Sequence, residues 1–185
     1  MARGGNNPVI VPGNVKVLVS AGVVKVEGPG GKLQMDIPSG VKVETVDGKV
    51  NVIKENEETQ TKANQGTVRA RINCMVKGVT EQFIKTLVIE GVGFKAALAG
   101  TKLTLLLGFS HPVDVTVPAG ITAAIEKNTI ITLKSANKEV LGNFAAQIRK
   151  IKIPDPYKAK GIKYADEYIR RKAGKTAGGA TAGGK

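Results

Sequence analysis

Ile37-Pro38-Ser39-Gly40-Val41 returns 80 residues further along the chain as Val117-Pro118-Ala119-Gly120-Ile121. The same offset aligns Lys49–Ile53 with Thr129–Leu133, and after a four-residue deletion the match continues at an offset of 76. A period of about 80 residues is the size of a domain and too long for a solenoid repeat. The sequence therefore predicts two tandem copies of one domain, with a boundary near residue 82.

Each copy shows short runs of alternating apolar residues, followed by one apolar stripe with helical spacing. In the first copy the alternation begins at Val15, Val17 and Val19, and the stripe comprises Val68, Ile72, Met75, Val76 and Val79. The second copy has comparable runs near 86–90, 94–99, 102–107, 113–117, 121–125 and 129–133 and a stripe over 138–149. Alternation of period two indicates half-buried strands, and strands followed by a helix indicate an α+β fold. We expect small, mainly antiparallel sheets and one helix around a single core in each copy.

The predicted organisation has four parts. Residues 1–8 form an N-terminal extension, 9–82 the first repeat and 83–172 the second repeat with a basic C-terminal segment. Residues 173–185 contain only Ala, Gly, Thr and Lys, which cannot bury apolar surface, so a mobile tail is expected. Within the second repeat we expect an irregular segment over 151–164 and a short helix over 166–172.

Composition excludes several classes of protein. The 185 residues include one Cys and one His, so neither an internal disulfide nor a His/Cys zinc site can form. No apolar run approaches the roughly 18 residues of a membrane span, and the first residues resemble no targeting signal, so a cytoplasmic protein is expected. A hydrophobic content of 42% is sufficient for a packed core.

The positive charge lies towards the C-terminus. The net charge of the chain is +13, from 28 basic and 15 acidic residues. Residues 1–82 carry 11 basic and 8 acidic side chains, whereas residues 149–175 alone carry 10 basic and 3 acidic ones. Such a concentration indicates a polyanionic partner, with nucleic acid favoured over an anionic membrane surface; the alternative is an ordinary solvated face.

Three glycine-rich stretches resemble phosphate- or RNA-binding motifs but lack the required context. Gly91-Val92-Gly93-Phe94 resembles a truncated dinucleotide-binding fingerprint, yet a strand follows it instead of a helix, so we expect a turn. Gly179–Lys185 spells a P-loop without its Ser/Thr and without a following helix. Gly28-Pro29-Gly30-Gly31 matches the GxxG loop of KH domains but joins two predicted strands, which favours a hairpin turn.

No set of residues indicates catalysis. Ser110 and His111 are adjacent in sequence, which does not provide the geometry of a catalytic triad, and an RNA- or backbone-bonding turn is the favoured interpretation. Cys74 lies beside the apolar helix stripe and is interpreted as a partly buried small residue. No carboxylate pair or metal-ligand spacing occurs. We therefore predict no enzymatic activity, no cofactor, no small-molecule substrate and no membrane partner.

The stretch Ile153–Tyr164 carries the strongest functional signal. Pro154 and Pro156 stiffen the backbone, and the stretch then places lysines and tyrosines at close intervals. Spaced ammonium groups with aromatic rings suit an RNA surface, where phosphates supply most of the affinity. The alternative is a solvated connector whose tyrosines pack on the core. The candidate RNA-binding residues are Arg149, Lys150, Lys152, Tyr157, Lys158, Lys160, Gly161, Lys163, Tyr164, Arg170, Arg171 and Lys172, with Ser110 and His111 less certain.

The stretch Pro154–Ile162 resembles the signature of the ribosomal protein L6 family at every position. Gly66–Ala70 with Met75–Glu81, Gly91–Ala96 and Leu107–Val113 resemble further segments of that family. The resemblance extends over about residues 8–172, and the family shares the internal duplication. Two positions depart from the family pattern: Ala159 stands where Gly is common and Phe94 where Tyr is common. The alanine is expected to limit the approach of the backbone to RNA.

The resemblance implies a structural, non-catalytic protein of the large ribosomal subunit that binds 23S-type rRNA chiefly through its C-terminal domain. It places the protein near the base of the factor-recruiting stalk and the sarcin–ricin region, beside neighbouring ribosomal proteins. By motif, Tyr157, Lys158, Lys160, Gly161 and Lys163 would contact rRNA. Two alternatives remain at this point: a free-standing RNA-binding module or chaperone, and an RNA-modifying enzyme for which no catalytic cluster is found.

Overall fold

A computed structural model of the protein describes residues 7–20, 22–46, 48–172 and 174. These residues form an α+β structure with strands β1 Val9–Ile10, β2 Lys16–Ser20, β3 Val23–Gly28, β4 Gly31–Asp36, β5 Val41–Val46, β6 Lys49–Lys54, β7 Phe83–Glu90, β8 Lys95–Ala99, β9 Lys102–Leu106, β10 Val113–Thr116, β11 Ile121–Glu126, β12 Ile130–Ser135 and β13 Gly161–Tyr164. The helices are α1 Thr59–Thr80 and α2 Lys138–Ile151. The predicted fold class, small antiparallel sheets with one helix in each copy, is confirmed.

The described residues divide into two compact units. The first unit contains the residues up to Ile84 together with Ala119–Thr122 and Lys134–Gly142. The second contains Lys85–Pro118, Ala123–Leu133 and the described residues from Asn143 onward. The sheets have the strand orders β1-β6-β5, β2-β3-β4, β10-β9-β8 and β11-β12-β7-β13.

Helix α1 supplies one side of the core of the first unit. Four residues of its predicted stripe are buried and Met75 is partly buried, and the alternating valines of β3, β5 and β6 are buried in the same cluster. The helix begins at Thr59, about nine residues before the first apolar residue of the stripe. The polar side chain of Gln65 explains part of this extension, because its Nε2 donates to the carbonyl oxygen of Val52 over 2.8 Å.

The glycine-rich turn between β3 and β4 is a hairpin, as predicted. Gly28 pairs with Gly31, and the amide of Gly30 donates to the carbonyl of Val79 at the end of α1 over 2.7 Å. A Cβ atom on Gly30 would lie 2.7 Å from that carbonyl oxygen, which is too close for any side chain. The glycines therefore allow the hairpin to approach the helix.

The turn at Gly91–Phe94 also follows the prediction. The amide of Phe94 donates to the carbonyl of Gly91, and β8 begins directly afterwards at Lys95. The Phe94 ring occupies the space beside Gly91 and Gly108, where added Cβ atoms would lie 2.4 and 3.0 Å from ring carbons. These glycines accommodate an aromatic ring, which gives them a structural role without any nucleotide.

Helix α2 begins at a polar cap and carries a buried apolar face. The Oδ1 atom of Asn137 accepts hydrogen bonds from the amides of Glu139 and Val140, which satisfies donors that lack partners within the helix. The buried side chains of the helix are Leu141, Phe144, Ala145 and Ile148. The strands of the second copy bury Leu87, Ile89, Leu103, Leu105, Ile131, Leu133 and Ile162.

Two predictions for the C-terminal segment are wrong. The irregular segment expected over 151–164 contains strand β13, which pairs antiparallel with β7 and buries Ile162 completely. The helix expected over 166–172 is absent, and a turn at 165–166 is followed by residues without regular secondary structure up to 172. A seven-residue helix is unstable by itself, and the amide of Lys172 instead donates to the carbonyl of Pro156 over 2.9 Å.

Some expectations fall outside the described residues. These are the mobile tail beyond 172, apart from Gly174, most of the N-terminal extension, and Asp47 of the turn predicted at Asp47-Gly48. Gly48 itself is described and has a φ of +70°, a left-handed conformation that suits glycine. None of the helices within the described ranges is long and apolar enough to cross a membrane.

Candidate nucleic-acid interface

The loop after α2 is closed by backbone hydrogen bonds that turn its polar side chains outward. The amide of Ala159 donates to the carbonyl of Asp155 over 2.8 Å, and the amide of Asp155 donates to the carbonyl of Lys160 over 3.1 Å. The Asp155 carboxylate accepts from the amides of Tyr157 and Lys158, each over 3.3 Å. As a result, Tyr157, Lys158 and Lys160 are exposed on a loop of defined shape.

Two small residues are required by this loop. Ala159 is buried and has a φ of +57°, so the position favours glycine or another small residue. Its methyl group is buried within the protein, and the expected limit on the approach of RNA stays a prediction. Gly161 is also buried, and a Cβ atom there would lie 2.8 Å from the carbonyl oxygen of Lys152 and from backbone atoms of Pro154. Contacts within the protein therefore account for the glycine.

The hairpin loop between β9 and β10 contacts the beginning of this segment. The Nζ atom of Lys152 lies 4.6 Å from the centroid of the Phe109 ring, within the range of a cation–π interaction. Ser110 and His111 follow on the same loop, and both are exposed. The Ser110 Oγ and His111 Nδ1 atoms are 3.3 Å apart. Among the described residues no carboxylate orients His111, so the pair lacks the third member of a catalytic triad.

The remaining predicted cations differ in accessibility. Lys150, Lys158, Lys160, Arg170, Arg171 and Lys172 are exposed, whereas Lys152 is half-buried. The hydrogen bond from the Lys172 amide to the Pro156 carbonyl places Lys172 beside the loop. Tyr168 is 89% exposed and was missed by the sequence analysis, although an aromatic residue between acidic and basic neighbours could have drawn attention to it.

Three of the predicted residues are engaged within the protein. Arg149 donates to Glu167 through both Nε and Nη2, and Lys163 Nζ lies 2.5 Å from Glu90 Oε1. The Tyr164 ring is half-buried, with the Lys85 Nζ atom 5.5 Å from its centroid. The hydrogen bond from Arg149 holds the pKa of the Glu167 carboxyl below its usual value and raises the pKa of Arg149. Both groups therefore remain charged around neutral pH.

A family model described as Ribosomal protein L6 matches residues 11–82 and 90–165. The chain belongs to the ribosomal protein L6 family. The two matched segments correspond to the two copies found in the sequence, so the duplication and the family resemblance are both confirmed. The second segment includes the closed loop and strand β13.

Close relatives cover nearly the whole chain. The large ribosomal subunit protein uL6 of Synechococcus sp. (strain RCC307) is 46% identical over 176 residues, covering 95% of this chain and 98% of the relative. The protein of the same name from Gloeothece citriformis (strain PCC 7424) is 44% identical, with the same coverage of both chains. That of Enterococcus faecalis (strain ATCC 700802 / V583) is 43% identical over 95% of this chain and 99% of its own length.

Membership in the ribosomal protein L6 family establishes the general role of the chain. It is a structural protein of the large ribosomal subunit that serves translation, and it is not an enzyme. In bacteria this subunit is cytoplasmic, in agreement with the predicted location. The RNA-modifying enzyme considered from the sequence is therefore excluded.

Proposed function

We propose that the chain binds 23S-type rRNA through a C-terminal basic surface. This surface is defined by the side chains Lys150, Lys152, Tyr157, Lys158, Lys160, Arg170, Arg171 and Lys172, together with Ser110 and His111 on the neighbouring hairpin loop. Its mechanism is electrostatic, since ammonium and guanidinium groups neutralise phosphates and release their counterions. Tyr157 and Tyr168 add rings that can stack on an unpaired base or a ribose.

The exposure of six cations in a short segment is the observation that carries this proposal. Lys150, Lys158, Lys160, Arg170, Arg171 and Lys172 are all exposed. None of the six has an ion-pair partner within the described part of the chain, so each is available to a phosphate. An unpaired cluster of this kind attracts a polyanion.

The acidic residues of the segment do little to offset this charge. The Asp155 carboxylate is occupied by two amides of its own loop, and Glu167 is bound by Arg149. Within residues 149–172, only Asp166 is an exposed acidic residue without such a partner. Within this segment, six free cations therefore stand against two carboxylates without an ion-pair partner, Asp155 and Asp166, and the surface keeps a positive charge.

The position within the subunit is proposed from the family resemblance. We place the surface against rRNA near the base of the factor-recruiting stalk and the sarcin–ricin region, with other large-subunit proteins as neighbours. The first copy carries a net charge of only +3 over residues 1–82. We therefore propose that the C-terminal surface provides most of the affinity for rRNA.

The proposal is tested by reversing two charges on the closed loop. We expect Lys158→Glu with Lys160→Glu to weaken binding to a 23S-type rRNA transcript by at least about tenfold near 0.1 M salt. The slope of log Kd against log salt concentration should decrease in magnitude by roughly two, because two phosphate contacts are lost. Filter binding at several KCl concentrations measures both quantities.

The matched control reverses two exposed strand lysines in the first copy, Lys25→Glu with Lys49→Glu. This control has the same net charge as the closed-loop double variant. Its affinity and salt slope should stay much closer to those of the wild type. Equal losses in both variants would show that only net charge matters and would contradict the assignment of the surface. A salt-independent wild-type affinity would contradict the electrostatic mechanism itself.

A further inference from the structure

The C-terminal basic surface contains a carboxylate that is difficult to explain by RNA binding alone. Glu167 lies in the same segment as the proposed phosphate-binding cations and pairs with Arg149, a cation that would otherwise be free to bind a phosphate. Electrostatics alone would favour a neutral residue at this position. The contacts of Glu167 indicate another role.

Glu167 connects the end of α2 to the chain that follows β13. Its Oε2 atom accepts from Arg149 Nε over 2.8 Å and from the amide of Tyr164 over 3.2 Å, and its Oε1 atom accepts from Arg149 Nη2. The side chains of Arg149 and Glu167 are only 27% and 22% exposed. A two-point guanidinium–carboxylate pair of this kind is directional and fixes the orientation of both partners.

The same carboxylate stabilises the turn that follows β13. The amide of Glu167 donates to the carbonyl of Tyr164 over 3.1 Å, while the Tyr164 amide donates to the Glu167 side chain. The amide of Ala165 donates to the carbonyl of Thr86 over 3.0 Å, which holds this turn against β7. The turn determines the path of the chain that carries Tyr168, Arg170 and Arg171.

A second ion pair holds β13 against β7, the strand that also binds the turn after β13. Lys163 contacts Glu90 over 2.5 Å, and Glu90 lies opposite Gly161 in the β13–β7 register. The Lys163 side chain is only 22% exposed, which limits its access to a phosphate. Two of the cations that the sequence suggested as phosphate ligands are therefore used within the protein.

We infer that Glu167 is a positioning residue of the proposed rRNA site. With Arg149 it fixes residues 165–172 relative to the end of α2, where the closed loop begins, and Arg149 and Lys163 act as internal ties instead of phosphate contacts. The inference rests on the proposed function, because a positioning role requires that the surface binds rRNA.

The test asks whether Glu167→Gln binds the 23S-type transcript more tightly or more weakly than the wild type does. Glu167→Gln raises the net charge by one, so electrostatic attraction alone predicts tighter binding to the 23S-type transcript. Loss of the charged hydrogen bonds predicts weaker binding, by about tenfold. The matched control is Asp166→Asn, which makes the same change of charge at the adjacent exposed residue and should bind as tightly as the wild type or slightly more tightly.

The exchange Arg149→Glu with Glu167→Arg examines Arg149 directly. It restores an ion pair of reversed polarity at unchanged net charge. If Arg149 is an internal tie, this double variant should keep the salt slope of the wild type and bind more tightly than Arg149→Glu alone, although the Tyr164 amide loses its acceptor. Circular dichroism and thermal unfolding establish that each variant is folded. Where Glu167→Gln is not folded, the exchange alone decides.

Two results would overturn the inference. The first is Glu167→Gln binding as tightly as Asp166→Asn. The second is a folded exchange variant whose affinity stays low and whose salt slope is smaller by about one, since Arg149 would then contact a phosphate. Failure of the proposed function looks different, because the wild-type chain itself would then show weak or salt-independent binding.

Discussion

At the scale of single residues, the loop that follows α2 depends on two small side chains. Ala159 adopts a left-handed conformation with its methyl group buried, and Gly161 leaves no room for a Cβ atom beside Lys152 and Pro154. The outward residues of the same loop are Tyr157, Lys158 and Lys160. The family signature therefore combines positions that shape the loop with positions available to RNA.

Gly161→Ala should destabilise the protein. The added Cβ atom would lie 2.8 Å from three backbone atoms, and the φ of +150° is one that alanine rarely adopts. We expect a loss of about 2 kcal/mol in the free energy of unfolding, measured by urea denaturation. Gly66→Ala is the control, because Gly66 lies within α1 with no atom inside 4 Å of the added Cβ. It should be neutral or stabilising by up to about 1 kcal/mol. Equal stabilities of the two variants would contradict this packing.

At the scale of elements, two carboxylates hold β13 and the turn after it in place. Glu90 lies on β7 and Glu167 follows β13, and each binds one cation of the C-terminal segment. The pKa of Glu167 is lowered, chiefly by its hydrogen bond from Arg149. A carboxyl whose pKa is lowered by folding stabilises the folded state above its unfolded pKa, and this contribution is lost as the pH falls through its folded pKa.

The stability difference between the wild type and Glu167→Gln should therefore depend on pH. We expect the two free energies of unfolding to differ by about 1 kcal/mol at pH 7, since the pair is only partly buried. This difference should become smaller as the pH decreases towards about 3. Urea denaturation across this range measures it. Asp166→Asn should show a small and nearly constant difference. A difference for Glu167→Gln that does not change with pH would contradict a charged role for this group.

The elements that could be predicted from sequence are those with a local pattern. The alternating valines near Val15 and the stripe from Val68 to Val79 define strands and a helix without reference to distant residues. Strand β13 was not predictable because only four residues pair, between a proline-rich loop and a turn, and their partner β7 lies some 70 residues earlier. The pairing of Arg149 with Glu167 depends on that strand, so it could not be foreseen either.

At the scale of the whole molecule, the duplicated copies have diverged after their helices. At the offset of 76 residues, the last turn of α1, Val76–Thr80, aligns with Lys152–Pro156. Pro154 and Pro156 are incompatible with a continuing helix, and α2 ends at Ile151. The residues that follow α2 form the closed loop, β13 and the segment 165–172. The second copy thus continues into a segment with exposed cations.

The measurement that tests this account most directly is ultraviolet cross-linking of large ribosomal subunits that contain this protein. Mass spectrometry of the digested subunits identifies which peptides carry nucleotides. We predict adducts on peptides from residues 149–172, in particular those containing Tyr157 or Tyr168, because these exposed rings lie among the free cations. Adducts confined to residues 7–84, with none in 149–172, would contradict the claim that the C-terminal basic surface binds the rRNA.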